Sequence, residues 1–120
     1  NYHTFFQQEI QIRKDLFYPP FAKIIRLIAR SKDEFISSEL IEKVFSELLK
    51  QTKINSLDKT VILGPAPCPF YKIDSNYRNH IIIKTVNIVK VKEIVKNFVN
   101  SLSIAKNAFL EIDIDPVDLL

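Results

Sequence analysis

Val61-Ile62-Leu63-Gly64-Pro65-Ala66-Pro67-Cys68-Pro69-Phe70-Tyr71 holds the only glycine of the 120-residue chain and three of its six prolines. Average usage would supply glycine at about 7%, so a single one, placed where an apolar run ends, marks a required break. Prolines at every second position then forbid helix and remove backbone donors from any strand ladder. The stretch therefore predicts a strand over 59–64, closed by Gly64. A stiff extended arm follows, leaving the sheet and landing on the polar hairpin Ile73-Asp74-Ser75-Asn76-Tyr77-Arg78-Asn79. Beyond it, His80 to Val86 reads as another strand. Two strands thus follow each other with no helix between them, and this decides the fold.

Upstream, Phe21 to Arg30 places Phe21, Ile25, Leu27 and Ala29 on one face and Arg26 and Arg30 on the other, the period of a strand. Ser31-Lys32-Asp33-Glu34 reads as a capping-box start. Ile36, Leu40, Ile41, Val44, Phe45 and Leu48 then continue an amphipathic helix over 33–51. Downstream, Asn87 is a helix cap, and Val91, Ile94, Val95, Phe98, Val99 and Leu102 form the stripe of a second helix. Phe109 to Asp115 closes as a strand, with Leu110, Ile112 and Ile114 inward and Glu111, Asp113 and Asp115 outward. The order is β-α-β-β-α-β, which predicts an α+β, ferredoxin-like fold: a four-stranded sheet with both helices on one face. An additional helix over 4–16, stopped by Tyr18-Pro19-Pro20, precedes it.

Length allows one domain with a core large enough to need no disulfide or metal. The single Cys68 has no partner for an intramolecular bridge, which fits a reducing, cytoplasmic setting. His3 and His80 lack Cys or His partners at ligand spacing, so no metal site is expected. No apolar run reaches the roughly 20 residues of a membrane span, and no signal peptide is visible. The chain contains no methionine and reads as a fragment of a longer protein.

The net charge of +3 is unevenly placed. Residues 1–32 and 71–96 each carry six basic and two acidic residues, whereas 109–120 carry four acids and no base. Such asymmetry is compatible with a phosphate-bearing partner, although most uneven charge is solvated surface. With one glycine no phosphate-cradling loop can be built, and no Ser, Cys or His has the spacing of a nucleophile–base pair. An acylphosphatase-like use of Arg78-Asn79 lacks its anion loop. Glu111, Asp113 and Asp115 read as a solubilising face rather than cation ligands. What remains is the arm and hairpin. Tyr77 beside Arg78, with Lys72 before them and His80 and Lys84 after, suits base stacking and phosphate pairing. Alternatively, Tyr77 packs on the sheet edge and Arg78 pairs with a tail acid. Cys68 reads as a small buried hydrophobe, and His80 as a surface strand residue.

Five segments in register resemble the C-terminal domain of the PriA family of primosomal DNA helicases. They are Phe5-Phe6-Gln7-Gln8-Glu9-Ile10 with Arg13; Tyr18-Pro19-Pro20-Phe21; Gly64 to Pro69; and Tyr77-Arg78 with Ile81-Ile82-Ile83-Lys84, closed by Asp113 to Leu120. The resemblance implies residues 1–18 as a linking helix from the preceding helicase lobe and 19–120 as a ribosomal S10-like C-terminal domain. It implies no catalysis in this chain and no cofactor. The parent would be a bacterial 3′-to-5′ helicase using ATP and magnesium, with zinc, through residues elsewhere. Implied partners are forked or branched DNA, single-stranded DNA-binding protein, other primosome proteins and the remaining PriA domains. Lys72, Tyr77, Arg78, His80 and Lys84 would then face DNA. Many members read Gly-Arg-Tyr-Arg-Trp-Gln where this chain reads Ser75-Asn76-Tyr77-Arg78-Asn79-His80, which removes one charge and one stacking ring. They also carry Pro-Ser-Arg where this chain has Val86-Asn87-Ile88, so Lys90 or Lys92 would supply the charge for the protein partner. The alternative is a structural or regulatory module of the same fold that binds protein only.

Overall fold

The structure, a computed structural model, describes residues 23–55 and 59–115. The helix expected over 4–16 and the linking segment 1–18 lie outside the described residues. Six elements follow in order: β1 (Lys23–Ser31), α1 (Glu34–Ile54), β2 (Thr60–Ile73), β3 (Asn76–Thr85), α2 (Ile88–Ser101) and β4 (Ala108–Ile114). The sheet order is β2-β3-β1-β4, with every neighbouring pair antiparallel. This is the ferredoxin-like arrangement, and it follows from two split β-α-β units sharing one sheet.

The core sits between the sheet and the helices. Ile25, Leu27 and Ala29 of β1 and Ile81 and Ile83 of β3 meet Leu40, Ile41, Val44 and Leu48 of α1 and Val91, Val95 and Phe98 of α2. Leu40, Val44 and Val95 are each 5% exposed or less, as the 3.6-residue stripes require. One polar strut crosses this interface. Ser37 Oγ of α1 donates to the Ala29 carbonyl at 3.0 Å, and Asn79 Nδ2 of β3 donates to that same Ser37 Oγ at 2.9 Å.

Three local readings change. The cap of α1 is Asp33, whose Oδ1 accepts from the Phe35 and Ile36 amides. Ser31 belongs to β1 instead, donating to the Asn107 carbonyl and accepting from the Asp33 amide. At α2 the cap position is Asn87, but its side chain makes no capping bond. The third change concerns the prolines. They do not take the chain out of the sheet; β2 runs through them to Ile73, pairing Ala66 with His80 and Pro67 with Asn79, with register shifts on either side. As an edge strand, β2 tolerates missing donors on its outer side. Gly64 has φ of 103°, a backbone state that only glycine enters without penalty, which is why the chain's one glycine sits there.

Candidate functional site

β2 and β3 are joined by a two-residue turn, Asp74-Ser75, with φ of 51° and 65°. Two successive positive φ values are those of a type I′ hairpin turn, whose twist matches that of the strands. The turn sets Lys72 opposite Tyr77. Lys72 Nζ lies 4.8 Å from the centre of the Tyr77 ring, and the Tyr71 ring meets Tyr77 edge-on at 5.4 Å. Tyr71 is in turn held from α1, its hydroxyl donating to Glu34 Oε2 at 2.8 Å. Burial, with Glu34's hydrogen bond and charge, pushes the Tyr71 phenol up to about 12, so it stays protonated and keeps donating. The hairpin tip is thus a braced cation–aromatic cluster.

The five residues read from the sequence do not form one surface. Successive residues of a strand point to opposite faces. Asn79 points to the helices, so Tyr77 shares their side, while Arg78, His80 and Lys84 leave β3 on the helix-free side. Lys72 is exposed, and Tyr77 and Arg78 are half-buried. Arg78 Nη1 donates to the Phe70 carbonyl across the hairpin at 2.8 Å. Arg30 pairs with an acid of the last strand, Glu111. His80 and Lys84 are buried, at 0% and 5% exposure, so the expectation of a surface His80 is corrected.

The helix-free face is thus far less open than a two-layer fold suggests. Leu63, Ala66 and Ile82 form a second apolar cluster on it, with Ile24 and Val61 against them. Beside this cluster Arg26 Nε donates to His80 Nδ1 at 2.9 Å, and Arg26 Nη2 donates to Cys68 Sγ at 3.4 Å. Burial, then the charges of Arg26 and Arg78, lowers His80 to about 3. Burial also raises the Cys68 thiol, so neither group is poised for nucleophilic or acid–base work near neutral pH. Among the described residues no group of three or more His, Cys, Asp or Glu is placed to hold a metal, and no helix is long and apolar enough to cross a membrane.

Lys90 and Lys92 lie exposed on α2, beside Val89, which is 77% exposed. Sequence reasoning missed Arg30 and Phe109, whose strand mates can be assigned only from register. The Arg30 guanidinium lies 4.3 Å from the centre of the Phe109 ring, and its Nη1 donates to Asn76 Oδ1 at 3.5 Å. Asn79, the position where many resembling sequences carry tryptophan, is inside and bonded to Ser37. The missing ring is therefore not a loss from the outer surface of this chain.

A family model described as the primosomal protein N C-terminal domain matches residues 14–117. The chain is 33% identical over 119 residues to the replication restart protein PriA of Borreliella burgdorferi, over 99% of this chain and 17% of that protein. It is 34% identical to the PriA of Synechocystis sp., over 99% and 14%, and 32% identical to that of Helicobacter pylori, over 99% and 18%. The chain spans less than a fifth of the length of these relatives. Among solved structures, a de novo designed protein, Foldit4, matches with a TM-score of 0.50 at 14% identity, over 81% of this chain and 99% of that one. That likeness is one of fold alone.

Proposed function

The chain belongs to the primosomal protein N C-terminal domain family, and from that premise we propose that it is a non-catalytic domain of a replication-restart helicase that helps recognise forked DNA. The observation that carries this reading is the hairpin tip: Lys72 held over the Tyr77 ring, with Tyr71 braced against it from α1. A fixed ring beside a cation serves a nucleic acid twice, the ring by stacking on a base and the cation by neutralising a phosphate. Because the cluster is already ordered, little side-chain entropy is lost on binding. Arg78, anchored on the Phe70 carbonyl, adds a guanidinium on the other side of the same strand.

His80 and Lys84 are buried on the helix-free face of the sheet, so in this proposal they brace β3 rather than meet DNA. Lys90 and Lys92, beside the exposed Val89, are proposed as the contact for single-stranded DNA-binding protein. Unwinding with ATP and magnesium, zinc binding and further primosome contacts belong, in this proposal, to the rest of a cytoplasmic parent protein.

The test is binding of a forked oligonucleotide at two salt concentrations. Phosphate contacts make affinity fall steeply with salt. Replacing Lys72 with Ala is expected to flatten that dependence, and Tyr77→Ala to weaken binding with little change of slope. No binding at either ionic strength would leave a module that binds protein only.

A further inference from the structure

The registers of β1 place Arg30 opposite Arg78 on β3 and opposite Phe109 on β4. Arg78, Arg30 and Phe109 therefore form one row across three adjacent strands, at the hairpin end of the helix-free face. Like charges set directly opposite each other on one face of an antiparallel pair repel. Here two guanidinium groups are so placed, and Glu111 pairs with Arg30. Between them opens a shallow depression lined by Arg30, Arg78, Asn76, Ile73 and the carboxylates Asp74 and Glu111. Phe109, 48% exposed, carries the Arg30 guanidinium over its ring.

We infer that this row is a second contact for an unpaired nucleic-acid strand, with Arg30 and Arg78 taking one backbone phosphate between them and Phe109 meeting a base. The inference rests on the proposed DNA-binding reading and extends it from the hairpin tip to the opposite face of the sheet. A phosphate accepts from two planar guanidiniums at once, with a geometric fit that a lysine pair would not give. An aromatic ring accepts any unstacked base, so the site selects the unpaired arm of a fork rather than blunt duplex. Glu111 competes with the phosphate for Arg30, and so restrains affinity.

The experiment is fluorescence anisotropy of the 120-residue chain with a fork carrying a single-stranded arm and with a blunt duplex, at two salt concentrations. Phe109→Ala is expected to weaken fork binding by about fivefold or more, the low end for one stacked base. Duplex binding should be unchanged, and Phe109→Tyr should restore the fork. Arg30→Gln is expected to weaken fork binding and flatten the salt slope by about 0.7 unit. Glu111→Gln should tighten it, an effect that a purely structural ion pair would not give. Thermal melts establish folding, and should Arg30→Gln or Phe109→Ala unfold the chain, Glu111→Gln decides. Parental fork affinity in folded Arg30→Gln and Phe109→Ala, or in Glu111→Gln where those two unfold, overturns the inference. If Lys72→Ala with Tyr77→Ala still abolishes binding there, the proposed function stands without it. A parent chain that binds no fork at low salt defeats both.

Discussion

Arg26 donates through Nε to Nδ1 of His80 at 2.9 Å, with both side chains buried on the sheet face that carries no helix. Because Nδ1 accepts, the ring must be neutral with its proton on Nε2, and a second proton would have to sit against a guanidinium. Burial and the Arg26 and Arg78 charges accordingly lower His80 to about 3, from an ordinary value of 6.5.

That depression fixes a pH dependence. Above about 6.5 His80 is neutral in both folded and unfolded chains, and its contribution to stability is complete. Below that, the unfolded chain binds a proton that the folded chain refuses, so stability falls as pH falls from 6.5 towards 3. The loss is about 1.4 kcal/mol per pH unit at its steepest. Urea denaturation between pH 7 and pH 5, above the ordinary carboxylate range, is expected to show this slope in the parent and a shallower one in His80→Gln. Equal slopes would exclude His80 as the source.

Ser37→Ala tests the strut between α1 and the sheet. It deprives the Asn79 amide of its acceptor in a site only 5% exposed, and removes the donor to the Ala29 carbonyl. A buried polar group left unsatisfied costs about 1–3 kcal/mol. Leu40→Ala, in the apolar part of the same interface, should cost about 2–5 kcal/mol. Chemical denaturation of the two variants checks both, and a neutral Ser37→Ala would mean that water replaces the hydroxyl.

Gly64→Ala places a Cβ on a residue with φ of 103°. We expect a destabilisation of about 1–3 kcal/mol, the usual range for such backbone strain, localised to β2. Hydrogen exchange should show the loss at Ala66 and Cys68 before it reaches the central strand β1.

Lys84→Ala should behave unlike Lys72→Ala. Lys84 is 5% exposed, so its removal is expected to lower the melting temperature with little direct effect on fork binding. Lys72 is exposed at the tip, and its removal should change the salt dependence of binding while leaving the melt in place. A stable Lys84→Ala chain with a flattened salt slope would contradict this division.

What the sequence determined by itself were the elements and their order. A period of 3.6 over Leu40, Ile41, Val44 and Leu48, and again over Val91, Val95 and Phe98, leaves no other way to bury those side chains together. Alternation in β1 and β4, and two strands adjacent in sequence between those helices, then restrict the topology to the sheet observed. The tertiary structure alone decided which strands neighbour which residues. Arg30, Arg78 and Phe109 are far apart in sequence, and only the registers of β1 with β3 and β4 set them in one row. Nor does the local pattern around His80 or Lys84 tell their burial, because alternation assigns a face without saying whether that face is covered. The prolines mislead for a related reason. Pro67 forbids a ladder donor in any central strand, but β2 is an edge, and edge or centre is a property of the assembled sheet.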